Sequence, residues 1–122
     1  HNHHPEQLST TLRSRLERAG TLTWEAYRQA CEQAEACRQV FHGIFADLDV
    51  IVAPSAPGEA PLAEGGTGDP IFVQPWHVLN LPSVNVPVHR GPTGLPVGVQ
   101  VLANVHCDPV ALGAAVQLHR AC

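Results

Sequence analysis

Three short apolar segments constrain this chain more than anything else in it. Asp49-Val50-Ile51-Val52-Ala53-Pro54 is rich in β-branched residues, with a polar entry and a proline exit. A run apolar at consecutive positions reads as an interior strand covered on both faces. Ser83 to Val88 and Leu95 to Ala103 are the other strand candidates. Gly91-Pro92-Thr93-Gly94 between them marks a turn that joins antiparallel neighbours. Gly98 predicts a spot on the sheet where another backbone or side chain comes close. Three such strands leave at least one ladder edge unpaired and one face uncovered. The chain therefore reads as part of a larger mixed sheet.

Helices should supply part of the cover. Leu8, Leu12, Leu16 and Ala19 recur at three to four residues, with Ser9 or Thr10 near the start and Gly20 as the stop. A second helix is predicted after Thr23, whose hydroxyl can accept from a first-turn N–H. Tyr27, Ala30, Cys31, Ala34, Cys37, Phe41, Ile44, Phe45 and Leu48 form its apolar stripe, and the 49–54 strand is the surface expected beneath it. Near the end, Asp108 reads as an N-cap and Pro109 as the first residue of a closing helix with Ala111, Leu112, Ala115, Val116 and Leu118. Between strand and strand, Pro54, Pro57, Pro61 and Pro70 alternate with Gly58, Gly65, Gly66 and Gly68. That density breaks regular ladders, so a long loop is expected, followed by a short helical turn at Pro75 to Asn80. The boundaries read 8–48 for the helix pair, 49–54 for the strand, 55–74 for the loop, 75–103 for the short helix and two strands, and 108–121 for the final helix.

Composition removes several functions. A formal charge of -4 gives no basic surface for a phosphate backbone, so nucleic acid is not an expected partner. No apolar run approaches the roughly 18 residues of a membrane helix, so no membrane is expected and a cytoplasmic location is. Cys31, Cys37, Cys107 and Cys122 lack CxxC spacing and read as buried or incidental thiols. The chain begins His1-Asn2-His3-His4 rather than with Met, which reads as a processed, cloned or partly observed piece.

Reactive chemistry is harder to find. His42, His77, His89, His106 and His119 carry no ligand spacing, so no metal site and no cofactor are expected; the opening histidines read as a solvated end. Gly65-Gly66-Thr67-Gly68 lacks the lysine and the preceding strand of a phosphate loop. Ser55 lies just beyond a strand end without a local base. Asp47, Asp49, Glu59, Glu64 and Asp69 form no pairing suited to acid/base work. All seven basic residues are Arg, so chemistry that needs a lysine amine must come from elsewhere. No catalytic residue is assigned.

Taken in order, Asp49 to Pro57, Gly68-Asp69-Pro70, Pro75-Trp76, Leu81-Pro82-Ser83-Val84-Asn85-Val86-Pro87 and Gly94 to Val101 resemble the C-terminal portion of amidase signature enzymes. The resemblance implies an α/β fold, in which residues 1–122 are the C-terminal part of a large mixed β-sheet sandwiched by helices. It implies cleavage of carboxamide bonds by a serine nucleophile supported by a second serine and a lysine. That set belongs to a more N-terminal region and is not matched here. The implied partners are the missing N-terminal part of the same enzyme and a small amide substrate, with a homodimer left open. Carried over by motif, Ser55, Ala56 and Trp76 are the substrate-facing candidates. An aromatic plug remains open for Trp76, and a hydroxyl bonded to nearby backbone for Ser55. Asn80 and the Asn104-Val105-His106-Cys107 turn stand where the resemblance leads one to expect glycine. The alternative of a non-catalytic binding or scaffold subunit derived from an amidase also stays open, as does a small metalloprotein using the histidines.

Overall fold

The computed structural model describes residues 4–122, so the opening cluster, apart from His4, lies outside the described residues. The chain divides into two compact units, one up to Gln33 and one from Ala34 to Cys122. In the first, α1 (Thr10–Gly20) is capped by Ser9, whose hydroxyl accepts from the Leu12 N–H at 3.3 Å. Thr23 does the same for α2 (Trp24–Ile44), accepting from Ala26 N–H at 3.2 Å. Arg28 bonds Glu25 and Glu32 along the solvated face. Trp24 and Tyr27 meet with ring centroids 5.5 Å apart. None of the described residues of this unit is buried, and Trp24 is 75% exposed.

The second unit holds the core. β1 (Val50–Pro54), β2 (Ser83–Arg90) and β3 (Pro96–Ala103) form one antiparallel sheet in the order β1-β3-β2. The hairpin between β2 and β3 has the expected turn, with a bulge between Pro87 and His89. Strand alternation puts Val84, Val86 and Val101 on one face, where α4 (Asp108–Ala121) lies across them. Ala111 and Ala115 are the buried helix residues, and their small side chains bring α4 close to the strands. Val50, Val88, Ala114 and Leu118 pack around this cluster. Leu102 and Ala103 are fully enclosed in β3.

Several expectations change. The 49–54 run is an edge strand of this sheet, not an interior one, and Val52 is 54% exposed. β3 takes the central place because it pairs on both sides. The last turns of α2 do not lie on β1. Instead Arg38 donates to the Val78 carbonyl at 2.9 and 3.1 Å, and Phe41 meets Trp76. Asp108 is already helical, so the flanking position falls to Cys107, which makes no side-chain cap bond. Of the two readings of the thiols, buried does not hold and incidental does: Cys31, Cys37 and Cys122 are exposed and Cys107 is half-buried, all of them free. No helix among the described residues is long and apolar enough to cross a membrane.

Candidate functional site

The sheet face opposite α4 carries Ser83, Asn85 and Gln100. Pairing sets Ala53, Gln100 and Asn85 in one row across β1, β3 and β2. Gln100 is 3% exposed, a polar side chain in an otherwise apolar strand. Such a group is stable there only if its bonding capacity is met. Its amide nitrogen donates to the Pro54 carbonyl at 2.7 Å and to the Phe72 carbonyl, and its oxygen accepts from the Ser83 hydroxyl at 3.2 Å.

Ser55 follows directly after β1. Its backbone N–H donates to Gly98 O at 3.2 Å, prolonging the ladder, and its hydroxyl donates to the Asn85 side-chain oxygen. The room for that pair comes from Gly98, where a Cβ would stand 2.6 Å from Asn85 Oδ1 and 3.0 Å from the Val86 carbonyl. Ser55 is half-buried and Ala56 exposed. The hydroxyl thus bonds a side chain rather than nearby backbone.

Trp76 sits on α3 (Gln74–Val78), edge-on to Phe41 at 5.9 Å and 74°. Its Nε1 is enclosed yet bonds neither Ser55 nor any other described residue. An open groove runs beside it past Asn80, Leu81, His106 and Asp108. Asn80 has φ 57° and His106 φ 63°, the left-handed region that glycine occupies without steric cost. The expectation of glycine at both places therefore has a backbone reason, which a side chain here has to override. Ser55 bonds Asn85, and Gln100 bonds the carbonyl of the preceding Pro54; Ala56 follows along the chain, exposed. Trp76 joins them only through the chain, by way of the Phe72 carbonyl.

Sequence reasoning missed Asn85, Gln100 and Ser83 as site residues. The available signal was polarity in the middle of apolar strands. It also left Glu59 without a role. The Glu59 carboxylate accepts from the Thr93 hydroxyl at 2.7 Å, the Thr93 N–H at 3.1 Å and the Leu95 N–H at 2.9 Å, tying the long loop to the β2–β3 turn. A Cβ at Gly91 would lie 2.4 Å from the Glu59 side chain, which would have to shift from this position. The Thr93 hydroxyl, foremost, and these N–H groups hold the Glu59 pKa below its ordinary value. A lowered carboxylate pKa adds stability above the unfolded value and loses it as pH falls through the folded one. The difference in melting temperature between parent and Glu59→Gln should therefore be present at neutral pH and close in acid. A difference independent of pH would contradict this anchoring.

Among the described residues no group of three or more His, Cys, Asp or Glu could hold a metal. The Ser55 hydroxyl bonds Asn85 and the Gln100 amide bonds the ends of the loop, whereas the open groove is lined by Trp76, Asn80, His106 and Asp108.

The family model described as Amidase matches residues 1–111. In Synechococcus sp. (strain CC9311), the A subunit of a glutamyl-tRNA(Gln) amidotransferase is 35% identical over 98 residues, covering 75% of this chain and 20% of that protein. A putative amidase, AmiA2, of Mycobacterium bovis is 30% identical over 114 residues, covering 83% of this chain and 24% of its own. A crystal structure of an amidase superposes with TM-score 0.75 at 28% identity, over 95% of this chain and 30% of that one. A bacterial aryl acylamidase shares the fold at TM-score 0.72 and 18% identity. The chain spans between a fifth and a quarter of the length of these two curated relatives.

Proposed function

The chain belongs to the amidase signature family, and from that premise we propose that it is the C-terminal portion of a serine-dependent amidase. In this reading residues 1–122 form part of one amidase domain, completing its mixed sheet and one wall of its acyl pocket. Ser55, Ala56 and Trp76 face the acyl side of a small carboxamide substrate. The nucleophilic serine, its supporting serine and the lysine come from a more N-terminal segment, and the absence of Lys from these 122 residues fits that division.

One observation carries the proposal. β1 is apolar, yet it lies at the sheet edge with Val52 54% exposed. An apolar edge invites pairing with foreign chains unless something covers it. In a larger sheet the covering strand is a neighbour from the same domain, and β1 becomes the interior strand that its composition asks for.

The test compares this chain alone with the same chain joined to a segment bearing the lysine and two serines. The chain alone is expected to release no ammonia from propionamide and no nitroaniline from 4-nitroacetanilide, and to bind a hydrophobic dye through its open edge. The joined protein is expected to hydrolyse a carboxamide and to lose that activity when its lysine is replaced. An isolated chain that is monomeric, fully folded and free of dye binding would overturn the reading.

A further inference from the structure

The loop between β1 and α3 is long, rich in proline and glycine, and holds only a 3-10 turn at Ala63–Gly65. Such a segment has no ladder of its own to fix its path. Its two ends nevertheless meet at a single side chain. Gln100 Nε2 donates one hydrogen to the Pro54 carbonyl, at the last residue of β1, and the other to the Phe72 carbonyl, two residues before α3.

The assignment of nitrogen and oxygen within this amide follows from its neighbours. Two carbonyls can only accept, so the atom facing both must be the NH2 group. The oxygen then faces Ser83, whose hydroxyl donates to it at 3.2 Å. Both hydrogens are used, and the side chain is 3% exposed, so water does not compete for these bonds. Gln100 is also central in register, between Ala53 of β1 and Asn85 of β2. Asn85 in turn receives the Ser55 hydroxyl. One row of the sheet therefore fixes where the loop leaves β1, where it returns toward α3, and how its first side chain is turned.

We propose that Gln100 is a positioning residue that closes the 55–72 loop at both ends, setting the wall that carries Ser55 and Ala56 relative to the helix that carries Trp76. Its consequence for substrate rests on the amidase reading above. The clamp itself does not.

Amide hydrogen exchange followed by mass spectrometry tests the clamp in the polypeptide of native length. Gln100→Met keeps the length of the side chain and removes both donors. Peptides from 55–72 are expected to exchange about tenfold faster or more, while α4 and the β2–β3 ladder change little. Gln100→Glu adds a readout that simple packing would not move. Its carboxylate donates nothing, whereas the protonated acid, favoured by burial, donates one O–H. After correction for intrinsic rates, its loop protection should be higher near ~pH 5 than near ~pH 8. Ser83→Ala, which removes only the bond orienting the amide, should give a smaller change confined to the same loop, and it carries the test if Gln100→Met fails to fold. Unchanged loop exchange, or a rise spread evenly over sheet and helix, would overturn the proposal. A joined enzyme that turns over no amide would sink the functional reading instead, leaving the exchange result standing.

Discussion

Gly98→Val is expected to destabilise the polypeptide of native length by about 2–4 kcal/mol, combining overpacking with a lost hydrogen bond. The reason is space rather than torsion. Gly98 does not have the positive φ of Gly66, Gly68 and Gly94, so the backbone there suits any residue of a strand. What it lacks is room: a Cβ would stand 2.6 Å from Asn85 Oδ1, 3.2 Å from Asn85 Nδ2 and 3.0 Å from the Val86 carbonyl. The Asn85 side chain can swing aside at the cost of its bond with Ser55. The Val86 carbonyl belongs to β2, the strand paired with β3, and cannot move without disturbing that pairing. Thermal unfolding should show a melting temperature lower by roughly 8–16 °C for a domain of this size. Gly98→Ala should cost less, and combining it with Asn85→Ala should recover part of the loss, because the first clash is then gone. A Gly98→Val variant that melts like the parent would show that the strands are not packed as described.

Trp76→Ala is expected to cost roughly 2–4 kcal/mol, at or below the usual range for deleting a large aromatic because Trp76 is not fully buried. The indole packs edge-on to Phe41, and with the Arg38 bonds to Val78 this contact holds α3 to the end of α2. Trp76→Phe separates packing from polarity. It keeps a ring for Phe41 and removes the enclosed Nε1–H, which bonds no other described residue. An enclosed donor without an acceptor is costly, so the Phe variant should melt within about 1 kcal/mol of the parent. If that N–H serves the substrate, the Phe variant of the joined enzyme should lose turnover per folded molecule while its melting is kept. An Ala variant with unchanged melting and reduced activity would assign Trp76 to the pocket alone. Lower melting with normal turnover would make it a packing residue.

Much of the architecture is legible because it depends on local patterns. Ser9 and Thr23 precede apolar periodicity and bond first-turn N–H groups, as their residue type requires. The Gly91 to Gly94 segment turns the chain between two strands, since no regular ladder continues through it. Gly98 announces a close approach and makes one. The departures have a common physical origin. Composition gives a strand's average surroundings, not its place in the sheet, so an apolar run reads as interior although β1 lies at the edge of the three strands described. The stripe of α2 points to the next apolar segment in the chain, but its end lies against α3 and the turn at Asn104, whose side-chain amide makes one hydrogen bond with His42 Nδ1. Neighbours in sequence are here not neighbours in space.

The candidate site is less legible than the fold. Ser55 and Ala56 stand out through a resemblance of motif, while Asn85 and Gln100, which hold that segment, do not. Both lie in strands whose surroundings are apolar, and nothing local says whether such a side chain meets solvent or a partner. Glu59 has no partner close to it in sequence, because Thr93 and Leu95 are more than thirty residues away.

The sequence by itself determined the order of the elements, the starts of the first two helices, the position of the hairpin turn and the family. Each of these is written in residue types at short range, where backbone sterics and hydrogen-bonding capacity act. Only the tertiary structure decided that β3 is central, that one glutamine gathers both ends of a long loop, and that a glutamate fastens that loop to a distant turn. These depend on strand register, and register is settled by which faces bury together across the whole sheet.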